Sequence, residues 1–216
     1  MTDIALEPEP AVAAEIAGDR IDVLRAFAED LGERGEILGL IGPLEPSRLW
    51  TRHLLNSALL APLIRPGGSV ADIGTGGGMP GLVLAIVRPD AHFRLIEPME
   101  RRCIWLNEQI DRLGLTNVEV KRGLAEEFHD AFEVDQVTAR AVTALRKLVP
   151  LAAPLVRDGG ELLLLKGVSV EQEIAAAEKQ IRKFRLSNIA VDELGVGQLA
   201  ETTRVFRASV RAGNAN

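Results

Sequence analysis

The sequence predicts an α/β protein built on an open, doubly wound, mainly parallel sheet. Short apolar runs alternate with helical segments from Ser69 to Gly167, the pattern of right-handed βαβ units. The first of those runs ends in a glycine-rich loop, DIGTGGGMPG, from Asp72 to Gly81. The last two strand-like runs have no helix between them and therefore pair more easily antiparallel.

In chain order, residues 1–14 are acidic and contain prolines, and read as a loose tail without a secretory signal. Apolar spacing of three and four (Ile21, Leu24, Ala28, Leu31) predicts a helix from about Glu15 to Leu40. After GPLEP, the stretch SRLWTRHLLNSALLAPLI predicts a second amphipathic helix, capped by Ser47. These two form a helical extension, residues 15–64, and residues 65–212 form one compact unit with it. Within that unit SVADI, HFRLIE, VEVKR, QVTARAV and GELLLLKG are expected strands. The segments MPGLVLAIVR, ERRCIWLNEQIDRLG (closed by Gly114) and ALRKLVPLAAPLV are expected helices. SVEQEIAAAEKQIRKF is a further helix, with Ser169 and Gln172 as a capping box and Ile174, Ala177, Ile181 and Phe184 on one face. LSNIAVDEL and TTRVFRASVRA are the closing pair of strands.

Composition narrows the class. The 216 residues carry a formal charge of −6, with 47% hydrophobic and 26% charged residues, as in one soluble globular domain. No apolar run reaches the length of a membrane span. Cys103 is alone, and His92 and His129 are too scattered along the chain to form a cluster, so no disulfide or metal site is expected. A cytoplasmic monomer fits. The net charge speaks against indiscriminate nucleic-acid binding. It leaves room for a local basic contact, because screening confines exposed charges to about 8 Å.

In such a sheet the ligand lies beyond the carboxyl ends of the strands. A phosphate loop needs a lysine after the glycines, and none follows. A dinucleotide fingerprint matches at Gly76, Gly78 and Gly81, but late in register, and it puts Asp72 against a pyrophosphate. Asp72 suits a cationic ligand instead. Glu97, ending the next strand, stands where an acid accepts hydrogen bonds from ribose hydroxyls. An acid before the glycines and another after the second strand favour S-adenosylmethionine.

DIGTGGGMPG, RPDAHFRLIEPMERRCIWL, TARAV and LLLLKG, in this order, resemble the bacterial small-subunit ribosomal RNA guanine-N7 methyltransferases, the glucose-inhibited division protein B family. The similarity runs from about Arg48 to Gly167, and RHLLNS resembles that family's Arg-His-x-x-Asp-Ser segment. The resemblance implies a class I S-adenosylmethionine-dependent methyltransferase fold, Rossmann-like, with seven strands and an antiparallel last pair, and the N-terminal helices packed on it. It implies cofactor contacts at Gly74, Met79, Ala125, Glu126 and Arg140, to which the loop argument adds Asp72, Gly76, Gly78 and Glu97. The implied substrate is 16S ribosomal RNA within a small-subunit particle. Two departures stand out: Asn56 replaces the family's aspartate, and LGERGEILGLIGPLEPS replaces its Trp-Asn and Asn-Leu-Thr pattern.

The residues also bear on chemistry. Cytosine-C5 transfer needs a nucleophilic cysteine, and Cys103 reads as packed. Exocyclic-amine transfer commonly uses an acid or asparagine before Pro-Pro-aromatic, absent at TARAVTAL. Guanine N7 is an acceptor with no proton to remove, so no general base is expected. Arg140, Lys166, His53 and Arg52 are the candidates for positioning the base, with Arg140 or Lys166 donating to O6. Transfer to a ribose 2′-hydroxyl with Lys166 as base, a non-catalytic cofactor- or RNA-binding module, and a nicotinamide oxidoreductase remain the other readings.

Overall fold

The structure, a computed structural model, describes residues 5–211; the first four residues of the expected tail and residue 212 lie outside them. Seven strands form one sheet: β1 Ser69–Ile73, β2 His92–Glu97, β3 Val118–Arg122, β4 Val134–Arg140, β5 Val156–Lys166, β6 Leu186–Leu194 and β7 Thr203–Val210. Their order is β3-β2-β1-β4-β5-β7-β6. The first five are parallel, whereas β7 runs antiparallel between β5 and β6. The expected strands and the antiparallel ending are all present, and β1, β2, β3 and β6 keep their predicted bounds.

Alternation along the strands sends successive side chains to opposite faces. On one face Val70, Phe93, Leu95, Leu163 and Leu165 pack under the N-terminal helices together with α4 (Gly81–Val87) and α5 (Glu100–Leu113). On the other, Ala71, Ile73, Leu162, Leu164 and Phe206 pack under α6 (Leu145–Ala152), α7 (Val170–Ala176) and α8 (Glu178–Lys183). Strand β4 divides likewise. Val137 and Ala139 join the second face, so Thr138 and Arg140 point to the first.

The N-terminal region departs from expectation. The first helix is split into α1 (Ala13–Ala17) and α2 (Ile21–Arg34) by a 3₁₀ turn at Gly18, and α2 ends well before Leu40. The second is no regular helix. It runs as a 3₁₀ turn (Pro46–Arg48), a π-helical stretch (Leu49–Leu55), the short α3 (Asn56–Ala58) and another 3₁₀ turn. Ser47 caps nothing: it lies inside the first turn, and its hydroxyl donates to the Leu44 carbonyl. Ser169 precedes α7 without a side-chain cap, and Ala177 breaks the predicted long helix in two. The described part of the expected tail is anchored. Glu7 accepts from the Thr51 hydroxyl at 2.8 Å, and Glu9 pairs with Arg25.

Candidate active site

The site lies along the carboxyl ends of β1 to β5 and has two halves. The first is the loop from Gly74 to Pro80, whose Met79–Pro80 peptide is cis. Gly74 and Gly76 have φ of +65° and +59° and are the partly exposed glycines of the loop. A Cβ on Gly76 would meet nothing closer than 3.8 Å, so this backbone is an open cradle in a conformation glycine suits. Gly78 is different. It is buried beneath Leu82 and Phe27, and Met79 packs into the core. Gly78 and Met79, expected as ligand contacts, are buried and shape the turn from within.

Two buried carboxylates hold the loop. Asp72 is fully buried, accepting from the Gly81 amide at 2.8 Å and from the Thr138 hydroxyl at 3.0 Å. It does not reach outward to a ligand ammonium, as its position before the glycines suggested, but ties the loop to the start of α4. Burial raises its carboxyl to about 6. Glu97 accepts from the amides of Gly76 (3.0 Å) and Met99 (2.9 Å), bridging the first and second strand ends. Its carbonyl accepts from Gly123, which brings Ala125, buried, and Glu126, exposed, to the same edge. Trp105 closes the underside by donating its indole N–H to the Gly77 carbonyl.

The second half is an open cavity of about 770 Å³, within the range of small-ligand sites. Arg140 enters it from one face of the sheet and Lys166 from the other, and Arg52, His53 and Asn56 form its N-terminal wall. Val142 joins the halves, lining the cavity while lying 3.0 Å from where a Gly74 Cβ would stand. Just before it, Ala141 takes a positive φ of 54°.

The charges here are committed to one another. Arg140 donates from Nη1 to the Arg52 carbonyl (3.2 Å) and from Nη2 to His53 Nδ1 (2.8 Å). Burial lowers its guanidinium to about 10. His53 Nε2 meets the Glu45 carboxylate. Burial first, and then Arg140, hold the imidazole below its ordinary value. Lys166 pairs with Glu173 at 2.7 Å and donates to the Thr143 carbonyl at 2.9 Å. Asn56 does not orient His53: it accepts from the Thr203 hydroxyl at 2.6 Å and donates to the Arg52 carbonyl. Cys103 is buried, as expected, with its thiol raised by burial.

Comparison with known proteins agrees with this architecture. The family described as rRNA small subunit methyltransferase G matches residues 20–200. The chain belongs to that family. A relative named ribosomal RNA small subunit methyltransferase G, from Clavibacter michiganensis subsp. michiganensis, is 62% identical over 96% of this chain and 98% of its own. One of the same name from Leifsonia xyli subsp. xyli is 58% identical over 98% and 100%. Among solved structures, M. jannaschii TYW2 in complex with AdoMet shares the fold at a TM-score of 0.60, with 16% identity over 76% of this chain and 78% of that one.

The sequence singles out Arg52, His53, Arg140 and Lys166, and the structure brings all four to one cavity. It does not mark Glu45, Glu173 or Val142. Glu173 stands beside Val170, Ile174 and Ala177, which pack into the core, and its half-buried carboxylate takes Lys166 and the Leu145 amide, a pairing its sequence neighbours do not signal. Glu45 lies in an irregular turn before the π-helical stretch, where no periodicity marks it.

Proposed function

We propose that this chain transfers the methyl group of S-adenosylmethionine to N7 of one guanine in 16S ribosomal RNA, with the small-subunit particle as its substrate in the cytoplasm. The observation that carries this reading is the junction at Val142: an open glycine cradle and a cavity large enough to admit a base share one wall. The family name and the relatives' names give the substrate class.

When bound, S-adenosylmethionine supplies a methyl group on a cationic sulfur. Gly76 leaves room for it, the buried Glu97 braces the loop on the ribose side, and Ala125 with Glu126 flank the adenine side. The reaction forms an N7–carbon bond as the sulfur–carbon bond breaks, and no proton leaves the base. The chain's task is alignment, with the reacting atoms held about 3 Å apart. A guanine in the cavity gains positive charge during transfer. Unopposed cations around it would raise that barrier, and here Lys166 is paired with Glu173, while Glu201 also lines the wall. The base must be splayed from its stack to enter.

Ribose methylation needs a general base, and Lys166 does not fit that part. Its ammonium is ion-paired with Glu173 and donates to the Thr143 carbonyl, and an ammonium carries no lone pair to take a hydroxyl proton. Arg146 and Lys147, exposed just past the cavity-lining Ala144, have no ion-pair partner among the described residues and suit RNA phosphates at the rim.

The test is transfer of labelled methyl from S-adenosylmethionine to unmodified small ribosomal subunits, followed by cleavage selective for N7-methylguanine. One labelled guanine is the expected product. Label resistant to that cleavage would overturn the N7 assignment.

A further inference from the structure

We propose that His53, held by Glu45, is a positioning residue for Arg140. The neutral imidazole fixes the guanidinium between the cofactor loop and the cavity. This rests on the reading of the cavity as the site of base methylation.

The argument begins with donor counting. Arginine only donates, so His53 Nδ1, 2.8 Å from Arg140 Nη2, must present its lone pair. The ring proton then sits on Nε2 and is donated to the Glu45 carboxylate. Glu45 is fixed in turn: despite burial, which works against it, hydrogen bonds from Arg48 and His53 hold its carboxyl below the ordinary range. The Arg52 carbonyl takes a second N–H of Arg140, and the rest of the guanidinium lines the cavity. Three elements thus converge on one cation: the turn carrying Glu45, the π-helical stretch carrying His53, and the end of β4. Irregular helical turns of this kind are common where a side chain must be placed for function.

A pH signature follows. His53 faces Glu45, Arg140 and Arg52, with Arg48 behind Glu45, Glu201 behind Arg52 and Asp72 on the far side of Arg140. Protonation would turn Nδ1 from acceptor to donor and set two cations together. Because the imidazole is held below its ordinary value, this happens only on the acid side of neutrality. Turnover should fall there as a single proton is taken up. Asp72 also titrates on the acid side, so the variants must separate the two.

Methyl transfer is measured across pH 5 to 8, together with S-adenosylmethionine binding by calorimetry, in wild type, His53→Ala, His53→Asn, Arg140→Ala and the double alanine variant. His53→Ala should lower kcat by about 10- to 100-fold, with KM for both substrates changing far less. His53→Asn, whose side-chain oxygen replaces the Nδ1 acceptor, should restore most of the loss and abolish the acid limb. The double variant should be no slower than Arg140→Ala alone, because both remove one unit. Equal losses in His53→Asn and His53→Ala, an acid limb that persists in His53→Asn, or additive losses would each overturn the proposal. Nitrogen-15 spectra of the imidazole provide a readout independent of turnover. A neutral ring protonated on Nε2 in wild type, perturbed in Arg140→Ala, is expected. A ring protonated on Nδ1 would overturn the geometry even if the wild type methylates nothing, whereas the expected ring without transfer would overturn only the reading of the reaction.

Discussion

The two halves of the site are built on opposite plans. The loop half is made rigid from below: Asp72, Glu97 and Trp105 are essentially fully buried, and each spends its polar atoms on the loop or its neighbours. The cavity half is a ring of charged residues open to solvent, with Arg52 and Glu201 exposed and Arg140, Lys166 and Glu173 paired within the wall. A small cofactor is served by a preorganised cradle, because ordering the loop on binding would cost affinity. A macromolecular substrate brings its own surface, so its half must stay accessible.

Glycine substitutions break this contrast most directly. Gly81→Ala puts a Cβ 2.4 Å from Leu95 Cδ2 and 2.7 Å from the Asp72 side chain, with no room for either to yield. Such overpacking costs about 1–3 kcal/mol or more, and here it displaces the carboxylate that holds the loop. A lower thermal midpoint and loss of most S-adenosylmethionine affinity by calorimetry are expected. Gly167→Ala in the cavity wall meets nothing within 4 Å and should leave both measurements near wild type. Equal tolerance at the two positions would mean that the loop is not held as described.

The carboxylate beneath the loop gives a smaller effect with a definite sign. Asp72 has its folded-state value raised by burial from 3.8 to about 6. Its contribution to stability is therefore complete below the unfolded value and is lost as pH rises through about 6. Asp72→Asn retains an acceptor for the Gly81 amide and carries no titrating proton. The stability difference between variant and wild type should shift in the variant's favour as pH rises from 4 to 7, measured by urea unfolding. A constant difference across that window would show that Asp72 is not protonated more readily in the folded chain.

These contrasts also explain what could be read in the sequence. The strands were legible because each is a short apolar run bounded by glycine or a charged helix start, and Gly114 closed α5 with φ of +61° as its position implied. The stretch from Leu49 to Leu55 was not. Leu49, Trp50, Leu54 and Leu55 are all buried, and their spacing satisfies an α-helical stripe as well as the wider π turn that forms. Cavity-lining side chains were legible where a strand end fixed them, as at Arg140 and Lys166. The partner choices were not, because His53 and Arg140 are 87 residues apart and Glu45 lies in an irregular turn. The buried roles of Asp72, Gly78 and Met79 were hidden for a related reason: a motif shows which residues form a loop, but not which side of it faces the ligand.

The smallest expected effect is at Asn56, where the resemblance implies an aspartate. Asn56 bridges Thr203, at the start of β7, and the Arg52 carbonyl. Asn56→Asp keeps the acceptor for the Thr203 hydroxyl but turns the donor toward Arg52 into a carboxylate oxygen facing a carbonyl. The lost hydrogen bond costs about 1 kcal/mol. Part of that is offset because Arg140, already on the same carbonyl at 3.2 Å, gains an anion nearby. A thermal midpoint lowered by a few degrees, with methyl transfer within a few-fold of wild type, is expected. A large fall in kcat without a change in stability would instead mean that the new carboxylate draws Arg140 away from His53. The charge pairing of the cavity wall, and not its shape, would then be what Asn56 protects.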